Sequence, residues 1–360
     1  MEAVSRTPAT LDQVARAAGV SRKTASRVFG GGAQVSDETR RAVERAAAEL
    51  GYVPVRAASG ARAGQSESVG VVVPEPGSRL FTDPMLARLL RGIADELAQH
   101  GLQMVLFAPQ SAGDIERLEQ YLLGGHVDAV LLLALHESDS LPARLQAHGI
   151  PTVFGGRPSS LHEVSYVAVD NHAGGRAATE HLIEMGRKRI AHIAGPRELS
   201  VAGERFQGFR EAMCNAALRS DLVEHGEVDR DGGEIAMSRL LANGDTIDAV
   251  FAATDAMAAG AMWALQVLGR RVPDDVAVIG FDDSPIAATT QPPLTSVRQP
   301  AEEMGREMTK LVLSLPSTRD QVPYQLILSP KLAVRESTLV TRQTATPGNA
   351  NWWTRGDSNP

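Results

Sequence analysis

Doubly wound parallel α/β sheets behind an N-terminal three-helix domain are the architecture this sequence predicts, and three observations carry the prediction. The first is a series of short apolar runs between residues 69 and 282: VGVVVP, LQMVLFA, DAVLLLA, IPTVF, RIAHIAG, DAVFAAT and VAVIGFD. Their length and lack of alternation suit strands buried on both faces. The second is the set of helical patterns between them, at 85–100, 115–123, 176–185, 205–216 and 256–268. Strands alternating with helices build parallel sheets. The third is a change of character before residue 68, where the pattern is helical and the charge reverses sign. A chain of 360 residues is too long for one ordinary core and implies two or three domains.

Residues 10–29, TLDQVARAAGVSRKTASRVF, hold two short amphipathic patterns around a tight turn. In the first, Leu11, Val14, Ala15 and Ala18 recur at i, i+3, i+4 and i+7, one apolar helix face. Thr10 with Gln13 reads as a capping box, and Gly19 supplies the backbone freedom for the turn. Ser21 caps a second helix whose apolar face is Ala25, Val28 and Phe29. Arg22, Lys23, Ser26 and Arg27 are left on its outer face, donors suited to a major groove lined with base acceptors and flanked by phosphates. This is a helix-turn-helix pattern. A structural hairpin with a solvated basic face has the same spacing, and spacing alone does not separate the two. A third helix opens at Ser36, with Asp37 and Glu38 in its first turn, buries Val43, Ala47 and Leu50, and stops at Gly51.

Composition narrows the function. The net charge is −7, yet residues 1–64 hold ten Lys/Arg against six Asp/Glu, leaving 26 basic and 37 acidic residues in the remainder. A basic end on an acidic body puts the attraction for phosphate at that end. No apolar run is long enough for a membrane span, and the N-terminus has no apolar core of the signal-peptide kind, so a cytoplasmic location is expected. The single cysteine, Cys214, excludes an internal disulfide framework and reads as a small hydrophobe on a helix. No G-x-S-x-G, GK[ST] or H-E-x-x-H motif occurs and the nine histidines are scattered, so neither catalysis, a metal nor a cofactor is expected. Gly174-Gly175 reads as a weak helix-N-terminal anion signal.

Residues 10–29, continued through VSDETRRAVERAAAELGYVP, closely resemble the DNA-binding headpiece of the LacI/GalR family of bacterial transcription regulators. Further matches are AGP at 194–196 with Arg205, Gly208 and Phe209; AATDAM at 252–257; and VPDDVAVIGFDD at 272–283, followed by PPLTSVRQP. The resemblance implies a headpiece at 8–54, a hinge at 55–67 and a two-subdomain periplasmic-binding-protein-like core at 68–341. In it, 68–167 joins 298–327 and 168–297 joins 328–341; the polar tail 342–360 reads as disordered.

The resemblance also assigns roles. Arg22, Lys23 and Arg27 read bases, while Thr10, Ser21, Thr24, Ser26, Ser36 and Thr39 complete the DNA-facing set, largely by anchoring phosphates. Met85, Arg157, Arg205, Thr254, Asp255 and Asp282 are the effector contacts, Arg205 donating to and Asp282 accepting from a ligand's hydroxyls. Three departures stand out. Thr254 replaces an asparagine, Gly156 stands where an aspartate often precedes Arg157, and the hinge, with Ala57, Ala61 and Arg62, has Ala61 where the family places a wedging leucine.

The implied function is a repressor that binds a palindromic double-stranded operator as a homodimer and is switched by a small molecule, a sugar. A solute-binding protein shares the core fold and leaves the headpiece unexplained; a doubly wound enzyme is the remaining alternative. If the absent wedge limits DNA bending, Ala61→Leu increases both bending and affinity, whereas unchanged mobility in a gel-phasing assay shows that hinge leucine chemistry plays no part here.

Overall fold

The structure is a computed structural model, and it describes residues 10–29, 35–50, 66–73, 83–133, 141–158, 164–197, 199–244, 246–317 and 322–339. Helices α1 (Leu11–Ala17), α2 (Arg22–Phe29) and α3 (Asp37–Leu50) pack around Val14, Ala15, Ala25, Val28, Val43, Ala46 and Ala47. The expected stripe on α3 is shifted, because Leu50 is exposed and Ala46 is buried in its stead. The capping box is present: the Gln13 amide N–H donates to Thr10 Oγ1 at 3.4 Å and the Thr10 N–H to Gln13 Oε1 at 2.7 Å. Gly19 turns the chain at φ +66°, a left-handed conformation that glycine adopts without penalty.

Two six-stranded sheets follow among the described residues. The first contains β1 (Ser68–Val72), β2 (Gln103–Phe107), β3 (Ala129–Leu133), β4 (Thr152–Gly155), β5 (Ser165–Val169) and β11 (Gln325–Leu328). Its order is β11-β5-β4-β3-β1-β2, parallel throughout. The second contains β6 (Ile190–Ala194), β7 (Val223–His225), β8 (Ala249–Ala252), β9 (Ala277–Asp282), β10 (Thr295–Arg298) and β12 (Lys331–Ala333), in the order β12-β10-β9-β8-β6-β7. Among the described strands only β12 runs antiparallel, against β10. The chain therefore crosses between sheets three times, after β5, after β10 and between β11 and β12. Each sheet reverses its winding at its first strand, β1 and β6, the arrangement that opens a crevice at the strand C-termini.

Both faces of each sheet are covered. In the first lobe Val69, Val71, Leu131 and Val153 meet Leu89, Ile93, Met304 and Met308 of helices Pro84–Gln99 and Ala301–Ser314. Val130, Leu132 and Phe154 meet Leu118, Leu122 and Leu145 on the opposite face. In the second, Ile193, Val250 and Val278 meet Met237, Met257 and Leu265 of helices Arg230–Ala242 and Asp255–Val267. Phe251, Ile279 and Phe281 pack on Leu182, Phe209 and Met213 of helices Asn171–Glu184 and Ser200–Asn215. One expected strand departs from the fully buried pattern: β2 is an outer strand of its sheet and is partly exposed.

Among the described residues three helix pairs meet backbone to backbone through glycines used reciprocally. A Cβ at Gly92 would lie 2.1 Å from the Glu302 carbonyl oxygen, and one at Gly305 2.3 Å from that of Leu89. Gly175 meets the Arg205 carbonyl at 2.3 Å while Gly208 meets that of His172 at 2.1 Å. Gly233 and Gly260 repeat the arrangement against Met257 and Arg230. Gly174-Gly175 is thus no anion loop. Both residues lie inside a helix, Gly174 against the Phe281 ring and Gly175 against the next helix. Cys214, expected to pack inside, is exposed on helix Ser200–Asn215.

Gly208→Ala must part the two helices, and the expected cost is about 1–3 kcal/mol in urea unfolding. Gly203→Ala, on the same helix with open space around its Cβ position, is expected to stabilise by up to about 1 kcal/mol through helix propensity. Equal effects at the two positions would show that the close approach is not what requires Gly208.

Candidate nucleic-acid interface and effector site

On α2 the buried side chains are Ala25 and Val28, and Ser21, Arg22, Lys23, Ser26 and Arg27 are exposed. The Thr24 N–H donates to Ser21 Oγ at 3.1 Å, and the two hydroxyls lie 2.8 Å apart. Ser36 and Thr39 repeat the arrangement at the start of α3, at 3.3 and 2.9 Å. These hydroxyls therefore cap helix starts, where free N–H groups and the helix dipole favour an approaching phosphate. Arg22 pairs with Asp12 of α1 at 3.4 Å, with both side chains more than half exposed. Such a surface pair contributes little and leaves the guanidinium free to exchange partners. Ala57, Ala61 and Arg62 lie outside the described residues.

In the core, Arg205 and Asp282 meet in the second lobe. Arg205 projects from helix Ser200–Asn215 and is 6% exposed. Its Nε donates to Asn171 Oδ1 at 2.9 Å and its Nη1 to the Ala253 carbonyl at 2.6 Å, while the guanidinium lies 3.7 Å from the Phe281 ring centroid. Asn171 in turn donates to Glu204 at 3.2 Å. The remaining nitrogen, Nη2, is 3.7 Å from Asp282 Oδ1. Asp282 ends β9 at φ +105°, and its Oδ1 also accepts from Gln299 Nε2 at 2.6 Å. A left-handed conformation at a non-glycine residue is unusual and clusters at functional positions.

Burial pushes the Asp282 carboxyl up to about 7, against the pull of Arg205, and the charge of Asp255 adds to the rise. Burial also lowers the Arg205 pKa, opposed by Asp282, Glu204, Asp255 and Asp83. Asp83 caps helix Pro84–Gln99 of the first lobe, so the two lobes bring charge to one place.

The other expected effector residues divide. Met85, in the first turn of helix Pro84–Gln99, is partly buried, and Arg157, just beyond β4, is exposed. Thr254 caps helix Asp255–Val267, its Oγ1 accepting from the Met257 N–H at 3.3 Å. Asp255 is 1% exposed, with Oδ1 taken by Ser296 Oγ at 2.5 Å and Oδ2 by the Ser284 N–H at 2.6 Å. Burial raises its carboxyl to about 6, against those two serines. Asp255 thus braces the Asp282 loop, with both carboxylate oxygens hydrogen-bonded within the protein. Gly280 is shaped to it, since a Cβ there would fall 2.4 Å from Asp255 Oδ1. Gly156 stands at φ +109°, a backbone conformation that glycine adopts without penalty.

Several site residues were not singled out from sequence. Asn171 and Gln299 lie at two of the crossovers and hold Arg205 and Asp282. Asp283, at φ +49°, accepts from Arg298 Nε at 2.5 Å and Arg335 Nη2 at 2.6 Å. The Asp-Asp doublet and VRQP were the available signal, since both fall within the matched motifs. His192, fully buried among Phe206, Phe209 and Phe251, is held neutral because burial lowers its pKa to about 3. Among the described residues no group of three His, Cys, Asp or Glu could hold a metal, and no helix is long and apolar enough to cross a membrane.

Residues 10–55 match the model for bacterial regulatory proteins of the lacI family, and residues 179–338 match that for a periplasmic binding protein-like domain. The HTH-type transcriptional regulator CelR of Thermobifida fusca is 48% identical over 91% of this chain and 98% of its own. The HTH-type transcriptional repressor CytR of Escherichia coli is 30% identical over 92% and 97%. Among solved structures, the transcriptional regulator CelR–cellobiose complex is similar at TM-score 0.72 and 47% identity, covering 91% of this chain and 99% of that one. The lac repressor dimer bound to operator and the anti-inducer ONPF is similar at TM-score 0.80 and 27% identity, covering 92% and 100%.

A raised Asp282 pKa means that the folded chain binds this proton more tightly than the unfolded chain, whose carboxylates titrate near ~4. Stability therefore falls as pH rises from ~4 to ~7 and carries the full penalty above that. In urea denaturation from pH 5 to 7.5 the decline due to Asp282 is expected as the difference in slope between the wild type and Asp282→Asn, because His192, with its lowered pKa, makes stability rise with pH in both. An unaltered slope in the variant would assign the decline to other groups.

Proposed function

The chain belongs to the lacI family of bacterial transcription regulators, and we propose that it is a repressor whose affinity for a palindromic operator is switched by a sugar. The observation that carries this reading is the capped helix-turn-helix, with Arg22, Lys23 and Arg27 on the exposed face of α2. Arginine or lysine to guanine O6 and N7 is the commonest specific pairing in a major groove. Thr10, Ser21, Ser26, Ser36 and Thr39 are suited to phosphates at the helix starts, with Thr24 beside them. Two headpieces of a homodimer would occupy the two half-sites. The lac repressor, solved as a dimer on its operator, supports that assembly.

The effector reading rests on Arg205 and Asp282. A sugar offers hydroxyls that donate and accept, and a buried guanidinium beside a carboxylate supplies the complement. Met85 and Arg157 extend from the first lobe. The CelR–cellobiose complex, at 47% identity, supports a β-linked glucose disaccharide as the first compound to test. The division into headpiece 8–54, hinge 55–67 and effector-binding core 68–341 follows from this reading, and a DNA-binding regulator of this kind acts in the cytoplasm.

The test is selection of bound duplexes from randomised DNA by the full chain, followed by titration of the selected site with and without cellobiose. An inverted repeat whose affinity changes with cellobiose is the expected result; no enriched repeat would sink the DNA reading, and no response would sink this choice of sugar. Lys23→Ala is expected to weaken binding to the selected site by about ten- to a hundredfold, with a smaller loss on scrambled DNA. Equal losses on both would assign Lys23 to phosphate alone.

A further inference from the structure

Asp283, next to the effector-facing Asp282, is held on all sides. Its carboxylate accepts from Arg298 and Arg335, and its N–H donates to Ser296 Oγ at 3.0 Å. Its carbonyl accepts from outside the lobe: Arg88 Nη1, on helix Pro84–Gln99, donates to it at 3.3 Å. Arg88 Nε also lies 4.0 Å from Glu302 of helix Ala301–Ser314. Gly92 and Gly305 lock those two first-lobe helices together. Helix Ala301–Ser314 starts two residues after Gln299, whose side chain donates to Asp282. One arginine therefore joins a rigid helix pair of the first lobe to the peptide beside the effector acceptor of the second.

We propose that Arg88 is a positioning residue that latches the two lobes in the operator-binding arrangement and is released when a sugar engages Asp282. This rests on the sugar reading above. The Asp282 carboxylate accepts from Gln299 and is faced by Arg205. A sugar hydroxyl at that oxygen competes with Gln299 and turns the 282–283 peptides, both at positive φ. The Asp283 carbonyl then leaves the reach of Arg88. A contact made in only one arrangement biases the equilibrium towards it, and the bias is felt equally by both ligands.

The full-length wild type, Arg88→Ala and Arg88→Lys are titrated with the selected operator, with and without saturating cellobiose, and with cellobiose alone. Arg88→Ala is expected to bind operator about tenfold more weakly without sugar and cellobiose correspondingly more tightly without DNA. The sugar-saturated operator affinity is expected to stay unchanged, and Arg88→Lys, which keeps a cationic donor, to recover part of the loss. Unchanged operator and cellobiose affinities in Arg88→Ala overturn the latch. So does an equal loss of operator affinity with and without sugar, accompanied by a lower melting temperature, which is what a purely structural role gives. A wild type whose operator affinity ignores cellobiose overturns the choice of sugar instead. The sugar-free operator affinity of the two variants still decides for or against the latch in that case.

Discussion

Backbone-to-backbone contact at three glycine pairs is the constraint on which this core depends. Where Gly92 meets Glu302, Gly175 meets Arg205 and Gly233 meets Met257, the helices approach more closely than any side chain would allow. Interiors packed at crystal-like density transmit displacement rather than absorb it. Each pair therefore moves as a unit with its sheet. The Gly175 contact falls on the main chain of Arg205 itself, so the position of the guanidinium follows directly from how two helices pack.

The charges gathered at the strand ends are costly to bury, and the fold meets that cost with fixed partners. Arg205 has Asn171 and the Ala253 carbonyl, Asp255 has Ser296 and the Ser284 amide, and Asp283 has two arginines. Asp282 is the least compensated, and its raised pKa records that deficit. A group left partly unsatisfied where two lobes converge gains most from an incoming hydroxyl. Asn171 and Gln299 come from two of the crossovers, and Ser296 and Arg298 from the neighbouring strand β10, so the site draws on both the connections between the lobes and the sheet beside β9.

Much of this was legible in the sequence. The headpiece helices were readable because their apolar spacing is regular and their caps are Thr10, Ser21 and Ser36. Seven apolar runs gave the parallel α/β class. Helices Arg230–Ala242 and Ala301–Ser314, and the first turn of Asn171–Glu184, escaped notice because each contains glycines that local rules read as breaks. Those glycines are where partner helices touch, so tertiary contact overrode local propensity. Strands β10 and β12 are short and mixed in composition, and only pairing with β9 and β10 makes them strands. Arg205 and Asp282 could be named through family resemblance, Gln299 lies in the matched VRQP stretch, and Asn171 carries no local signal of its role.

The solvent-facing thiol of Cys214 has a practical consequence. It is the only sulfhydryl in the chain, and it shares a helix with Arg205 nine residues away, roughly 14 Å along the axis. A fluorophore attached there needs no cysteines removed beforehand. It would ride on the same rigid body as the guanidinium, so the native protein already has a single addressable reporter of movement in its second lobe.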